Sequence, residues 1–391
     1  MAPVPEPVGG AIPMTAIKFG TDGWRGVIDE DFTEANAATV VQAAAETWAA
    51  DADRGRPIVV GYDTRRNSRA VAELAADILA ANGWRTLLAD RPVPTPLVSF
   101  SVVRHRAVGG LVITASHNPA RFNGIKLKAP FGGLHPEPIP PHIDGLAAEV
   151  RMIGADVGVA MDGDGDRLGV VASDGRWITP HEVLALLTRH LVEVRGWRGE
   201  VVKGFAVGVQ VDRVCARYGL PLHVTAIGFK HIATLMQSRD ILIGGEESGG
   251  VGFRDHLPER DGLLSALFVL EAVVASGTSL DDLIRSLEAE AGAAVYRRRD
   301  YTLHPDLGRR LVARLDAEPP ERLGSRRVAR VETLDGRKYW LDDGAWVLVR
   351  PSGTEPLLRI YIEAPTAAEV EDLHAVTEAL VERLTKEHEA R

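Results

Sequence analysis

Short apolar runs, each ending in a few polar residues studded with glycine, constrain this chain more than any other feature. Pro57-Ile-Val-Val-Gly61 runs into Tyr62-Asp-Thr-Arg65, and Gly109-Gly-Leu-Val-Ile-Thr-Ala115 runs into Ser116. Val157-Gly-Val-Ala-Met161 runs into Asp162, and Ile241-Leu-Ile-Gly244 into Gly245-Glu-Glu-Ser-Gly-Gly250. Apolar, β-branched runs bounded by turn formers read as buried strands. Helical spacing lies between them, at about 69–82, from Leu97, at 181–195, 261–275 and 280–289. Such alternation predicts an α/β fold of several domains, with mixed sheets covered by helices. In sheets of that kind ligands sit beyond the carboxyl ends of the strands, where these polar clusters fall.

Two further patterns extend the reading. Leu168–Ala172 returns from the Asp162 loop as the second arm of a hairpin, with a turn at Ser173-Asp-Gly-Arg176. Near the end, Ala345–Arg350 and Leu357–Glu363 bracket Pro351-Ser-Gly-Thr-Glu-Pro356, and a helix from about Ala367 to His388 closes the chain.

The clusters carry chemistry. Thr114-Ala-Ser-His-Asn-Pro119 sets a hydroxyl, exposed at a strand end, beside an imidazole. Asp162-Gly-Asp-Gly-Asp-Arg167 places three carboxylates at alternate positions, and its glycines allow them to converge. A calcium loop of the EF-hand kind needs Gly at its sixth position and Glu at its twelfth. Arg167 and Ser173 stand there instead, which leaves a short site suited to Mg2+ with a few carboxylates, phosphate and water. A hydroxyl able to carry a phosphoryl group and a nest for a divalent cation together imply phosphoryl transfer. Arg350-Pro-Ser-Gly-Thr-Glu355 offers a forked donor and a tight backbone turn, a cradle for phosphate. Glu246-Glu-Ser-Gly-Gly250 offers acceptors for sugar hydroxyls. A phosphatase with an aspartate nucleophile explains Asp162 but leaves Ser116 idle.

Length and charge set bounds. A chain of 391 residues implies roughly two to four domains. A net charge of -9 shows no footprint for nucleic acid, so an anionic substrate needs a local basic pocket. Cys215 stands alone, which excludes a disulfide framework and reads as a small buried hydrophobe. The run from about Leu263 to Ala275 is shorter than the ~20 residues of a membrane span. Met1 to Pro13 lacks the features of a signal peptide and reads as a disordered extension, so a cytoplasmic protein with no membrane partner is expected.

The four loops, in this order, resemble those of the α-D-phosphohexomutase family, the phosphoglucomutases and phosphomannomutases. Phe19-Gly-Thr-Asp-Gly-Trp-Arg-Gly26, Asn123-Gly-Ile-Lys126 and Gly228-Phe-Lys230 match as well. The resemblance implies four domains around a central cleft: three related α/β domains and a smaller C-terminal α+β domain, each giving one loop. On this sequence the domains fall at 15–133, 134–178, 179–293 and 294–391. It implies Ser116 as the phosphoserine, with Asp162, Asp164 and Asp166 holding Mg2+ against its phosphate. Arg25, His117 and Lys126 surround the transferred group, with His117 or Lys126 in acid/base work. Arg167 and Lys230 flank the substrate, Glu246 and Ser248 read the sugar, and Arg350, Ser352, Gly353 and Thr354 hold its non-reacting phosphate. The implied reaction converts glucose 1-phosphate to glucose 6-phosphate through a 1,6-bisphosphate, with mannose phosphate second, in a monomer or homodimer.

One departure stands out. Only 45 residues separate Ser116 from Asp162, and the family-like text resumes at Leu134-His-Pro-Glu-Pro138. A run of strands and helices, of the order of a small domain's ~100 residues, is missing there. The second domain is expected to keep the Asp-loop hairpin and one helix, about Ile143 to Met152, with an open sheet edge and apolar surface in need of cover. The alternative that follows is a phosphosugar-binding protein with impaired turnover.

Overall fold

The apolar run before Ser116 is the central strand of a five-stranded sheet. The structure, a computed structural model, describes residues 17, 23–51, 55–129, 143–351 and 357–386. The chain divides into two compact units between residues 132 and 133. The first holds β1 (Trp24–Val27), α1 (Glu34–Asp51), β2 (Ile58–Tyr62), α2 (Ser68–Ala81), β3 (Thr86–Leu88), α3 (Thr95–Arg104), β4 (Gly109–Ile113) and β5 (Phe122–Lys128). β2, β3 and β4 run parallel, while β5 and β1 are antiparallel to their neighbours.

Crossovers between parallel strands are right-handed. β3 lies on one side of β2 and β4 on the other, so the two crossover helices must cover opposite faces. They do: α1 and α2 pack over Ile58, Val60, Leu111 and Ile113, whereas α3 packs over Val59 and Val112. The crevice beyond the carboxyl ends of β2 and β4 is therefore the switch point where ligands bind in such sheets, and Ser116 stands at its rim.

The second unit begins with α4 (Ile143–Ile153), β6 (Val157–Met161), β7 (Leu168–Ala172) and β8 (Trp177–Ile178). There follow α5 (Pro180–Glu193), β9 (Glu200–Gly204), α6 (Gln210–Tyr218), β10 (Leu222–Thr225), α7 (Phe229–Ser238), β11 (Ile241–Gly245) and β12 (Val251–Phe253). α5 starts on a capping box, Thr179 with Glu182, and Pro180 sits where its missing N–H costs nothing. The sheet order β10-β9-β11-β12 repeats β3-β2-β4-β5 of the first unit. α6 and α7 accordingly lie on opposite faces, α6 with Cys215 in the main core and α7 over Val202 and Ile241. Apolar spacing alone does not mark β9 to α7, because α6 and α7 are short and β10 is a half-exposed edge.

α8 (Gly262–Ser276) and α9 (Leu280–Ala291) join the same core as α5. No single helix among the described residues is long and apolar enough to cross a membrane. The chain ends with β13 (Val295–Thr302), α10 (Pro305–Ala317), β14 (Arg322–Leu323), β15 (Arg326–Glu332), β16 (Arg337–Leu341), β17 (Trp346–Pro351), β18 (Leu357–Ala364) and α11 (Ala367–Lys386). These strands form an antiparallel sheet, β13-β18-β17-β16-β15-β14, with α10 and α11 on one face.

One regularity links the sheets. Ser116 lies between β4 and β5, the three aspartates between β6 and β7, Glu246 between β11 and β12, and the 352–356 segment between β17 and β18. All four are antiparallel pairs.

The shortened middle is a three-stranded sheet, β6-β7-β8. α4 covers one face through Ala147 and Val150 against Val171, and Gly158 leaves the room that Val150 and Leu146 fill. Leu168, Val170 and Ala172 on the other face enter the main core with α5 and α8. Cover thus comes from within the same unit. Among the described residues β6 pairs only with β7, and Val159 and Met161 remain 36% and 43% exposed. In the first sheet the matching strand, β4, has β2 along that edge. The expected extension at Met1–Pro13 and the segments at Phe19–Asp22 and Leu134–Pro138 lie outside the described residues.

Candidate active site

In the first unit the serine turn is held from outside. Ser116 adopts a left-handed backbone, φ 53°, which a non-glycine residue keeps only where its neighbours impose it. Its N–H donates to Thr114 Oγ1 at 2.8 Å, and Asn118 N–H donates to Ala115 O at 3.0 Å. The Arg65 guanidinium donates to Asn118 O at 2.6 Å, Pro119 O at 3.0 Å and Phe122 O at 3.1 Å, and also to Ser116 O. Asp63, at the end of β2, orients Arg65 through an ion pair at 3.2 Å and accepts from Ser68 Oγ at 2.7 Å.

Around the serine stand the other expected groups of this unit. His117 Nδ1 lies 3.3 Å from Ser116 Oγ. Arg25 Nη1 donates to Asn118 Oδ1 at 2.7 Å. Arg25 pairs with Gly124 across β1 and β5, so it shares a sheet face with buried Lys126 two residues on. Gly124 has no room for a Cβ between Trp24 O and Thr114 O. Sequence predicted an exposed hydroxyl at Ser116; the residue is fully buried, with Thr114 on its N–H, Arg65 on its carbonyl and His117 beside its hydroxyl.

In the second unit the Asp162, Asp164 and Asp166 carboxylates bring ligand oxygens within 4.8 Å of one another. Gly165, at φ 72°, closes the turn, and its N–H donates to Asp162 O at 3.1 Å. Hard carboxylate oxygens so grouped suit Mg2+. Two buried guanidinia offset their charge. Arg167 Nε lies 3.8 Å from Asp162 and 3.6 Å from Asp166, and Arg260 Nη2 donates to Asp166 Oδ2 at 2.6 Å.

The residues of the Glu246–Gly250 loop sit against this nest. Leu168 N–H, just after the aspartates, donates to Gly249 O at 3.1 Å. Glu246 Oε1 accepts Gly228 N–H at 3.0 Å, where α7 begins, and Glu246 Oε2 lies 3.9 Å from Arg260. Burial pushes the Glu246 carboxyl up, Arg260 opposes this, and Glu247 adds to it. Ser248 is buried beside it, and Lys230 is exposed on the first turn of α7.

A row of cations completes the unit. Arg350 on β17 faces Arg359 on β18, which faces Asp300 on β13. One row along, Arg298 stands 5.7 Å from the Tyr361 ring. Arg350 Nε donates to Asp335 Oδ1 at 2.9 Å, and Asp335 Oδ2 accepts Ile227 N–H at 2.9 Å, next to α7. Ser352, Gly353 and Thr354 lie outside the described residues. Sequence reasoning named neither Arg65, Arg260, Arg359 nor Asp335 as site residues. Only Arg65 had a local signal, its place just past a strand end.

Comparison with known proteins follows the same division. The models for phosphoglucomutase/phosphomannomutase α/β/α domain I, α/β/α domain III and the C-terminal domain match residues 16–152, 179–290 and 309–380. Domain II is absent from those matches, consistent with the three-stranded remnant. A crystal structure of a protein assigned as a phosphomannomutase from Thermus thermophilus is 30% identical, with a TM-score of 0.79, covering 94% of this chain and 99% of that one. The phosphoglucomutase/phosphomannomutase of Thermococcus kodakarensis is 28% identical over 444 residues, 88% of this chain and 94% of that protein. The phosphoglucosamine mutase of Frankia alni is 28% identical over 459 residues, 90% of this chain and 95% of that protein.

Proposed function

We propose, from the premise that this chain belongs to the phosphoglucomutase/phosphomannomutase family of α-D-phosphohexomutases, that it moves a phosphoryl group between the two ends of a hexose phosphate. The observation that carries the proposal is the Ser116 turn. A hydroxyl in a strained, externally clamped turn, with an imidazole 3.3 Å away, is a positioned nucleophile.

Each residue then has a task. Ser116 carries the phosphoryl group, and His117 or Lys126 takes and returns the proton of the sugar hydroxyl. Arg25 lies against the transferred group. Asp162, Asp164 and Asp166 hold Mg2+, which supplies charge neutralisation at the phosphoryl oxygens. Arg167 and Lys230 flank the substrate, and Glu246 and Ser248 accept and donate to its ring hydroxyls. Arg350, with Ser352, Gly353 and Thr354, grips the phosphate that does not react. Rotation of the 1,6-bisphosphate presents either end to Ser116. The domain limits proposed with this reading are 15–133, 134–178, 179–293 and 294–391.

The preferred substrate is glucose 1-phosphate, with mannose 1-phosphate second, on the reading of the Glu246 loop and the Asp255–Asp261 segment after it. Relatives named as phosphoglucosamine mutases make glucosamine 6-phosphate the necessary control. One observation favours a second reading, a phosphosugar-binding protein with impaired turnover: beside the metal loop, β6 has no partner on its outer edge among the described residues. The two separate cleanly. Intact-mass spectrometry should show one phosphate on wild-type protein and none on Ser116→Ala. Coupled assays with the three sugar phosphates should give turnover that Ser116→Ala abolishes. Sugar-phosphate binding without phosphate on Ser116 and without turnover would select the binding protein instead.

A further inference from the structure

Arg260 has no place in the reaction just described, yet it is wholly buried where three functional elements meet. Its Nη2 donates to Asp166 Oδ2 at 2.6 Å, and its Nη1 lies 3.9 Å from Glu246 Oε2. Its guanidinium carbon sits 5.8 Å from the ring of Phe229, the residue before Lys230 on α7. Glu259 lies 3.9 Å from its Nε. The surroundings are shaped to admit it. A Cβ on Gly250, at the end of the sugar loop, would collide with the Arg260 side chain. The segment carrying Arg260 is pinned to the metal loop, since Gly262 N–H donates to Gly165 O at 3.2 Å and a Cβ on Gly262 would meet Arg167 O.

One guanidinium therefore serves carboxylates on two loops. One arm of its fork, Nη2, holds one oxygen of Asp166 and so fixes how that carboxylate presents its other oxygen. Such outer partners orient ligands and set cation affinity. Glu246 competes for the same guanidinium from the sugar side. If the Glu246 charge is removed, Arg260 closes on Asp166 alone and opposes a cation there.

We infer that Arg260 is a positioning residue that couples the sugar loop to the divalent-cation nest, so that the state of Glu246 sets how well Asp166 binds Mg2+. This rests on the reading that the three aspartates hold a divalent cation.

The test is a double-mutant cycle on Mg2+ affinity, read by titration calorimetry of the full chain with Mg2+ alone. Arg260→Gln is expected to weaken Mg2+ binding by about 10-fold or more, the usual cost of losing an outer partner. Glu246→Gln, on a different loop, is expected to weaken it several-fold in the wild-type background and not at all beside Arg260→Gln. An equal factor in both backgrounds indicates bare through-space charge and overturns the inference. So does an unchanged Mg2+ affinity in Arg260→Gln, or a wild-type chain that binds no Mg2+. Where Arg260→Gln does not fold, Arg260→Lys takes its place in the cycle. An ammonium keeps the charge without the fork, so the Glu246 effect must again shrink. The cycle reads no sugar turnover. Failure of the mutase reading therefore appears separately, in the phosphosugar assays, with the Mg2+ cycle intact.

Discussion

A guanidinium carries five N–H donors in a fixed plane, and Arg65 directs its fork to carbonyl oxygens of residues 116, 118, 119 and 122. No other side chain can do this from one position. Arg65→Lys should therefore leave several carbonyls unsatisfied, at about 1–3 kcal/mol for each that stays buried. The expected result is a lower melting temperature together with a larger fall in turnover than in Mg2+ affinity, because the aspartate nest is elsewhere in the chain. At the nest itself, Asp164→Asn keeps shape and removes charge. Mg2+ affinity and turnover should fall together, and a wild-type rate in limiting Mg2+ would make the loop structural. The places of Ser116 and the aspartates in the fold were legible in the sequence because the signal is local: polar residues directly after an apolar strand run. Arg65 and Arg260 act over 51 and 94 residues of separation, and no short-range pattern records a contact of that kind.

Among the elements, the strands that precede the four loops were legible from their unbroken apolar runs. β13, Val-Tyr-Arg-Arg-Arg-Asp-Tyr-Thr, was not, since its charges interrupt the alternation that marks a strand. Those charges are accounted for only in three dimensions, by Arg298 with Asp300 and Arg299 with Glu371. In the β6–β7 hairpin exposure changes across a single face, from the inner strand to the outer one. Leu168 is 2% exposed and Met161, directly opposite, is 43% exposed. Leu168→Ala should cost about 2–5 kcal/mol, whereas Met161→Lys should change stability by no more than about 0.5 kcal/mol. Urea denaturation midpoints of the two variants check this. Comparable losses would mean that the outer half of β6 is also packed in solution.

For the molecule as a whole, buried bases tilt stability toward alkaline pH. Burial pushes the His374 imidazole down to about 4, and both its ring nitrogens lack hydrogen-bond partners among the described residues. Burial, with Lys203 and Lys338 nearby, pushes His181 down to about 3. Both are neutral when folded and regain the ordinary value near 6.5 when unfolded, so the unfolded chain binds more protons below that pH. Stability attributable to them is intact above about 6.5 and is lost as pH falls toward 4, by up to about 1.4 kcal/mol per pH unit for each group. Lys338, pushed down to about 7 by burial and by Lys203, extends the same slope upward. Glu246, pushed up to about 8 by burial, works in the opposite sense below that pH, so the check is differential: His374→Leu should flatten the acid part of the urea-midpoint profile relative to wild type. An unchanged acid slope in His374→Leu would show His374 to be solvated in the folded protein. The four antiparallel pairs bear on a different property, what the chain can lose. Each reactive loop is moored at both ends to a single ladder, so the distance between its moorings does not depend on how many strands lie further out in the sheet. The strands further out can differ, β2 beside β4 and none beside β6 among the described residues, while the loop keeps its span and its register. The ladder of two strands thus sets the span and register of a loop, while its internal shape is set by neighbours such as Arg65.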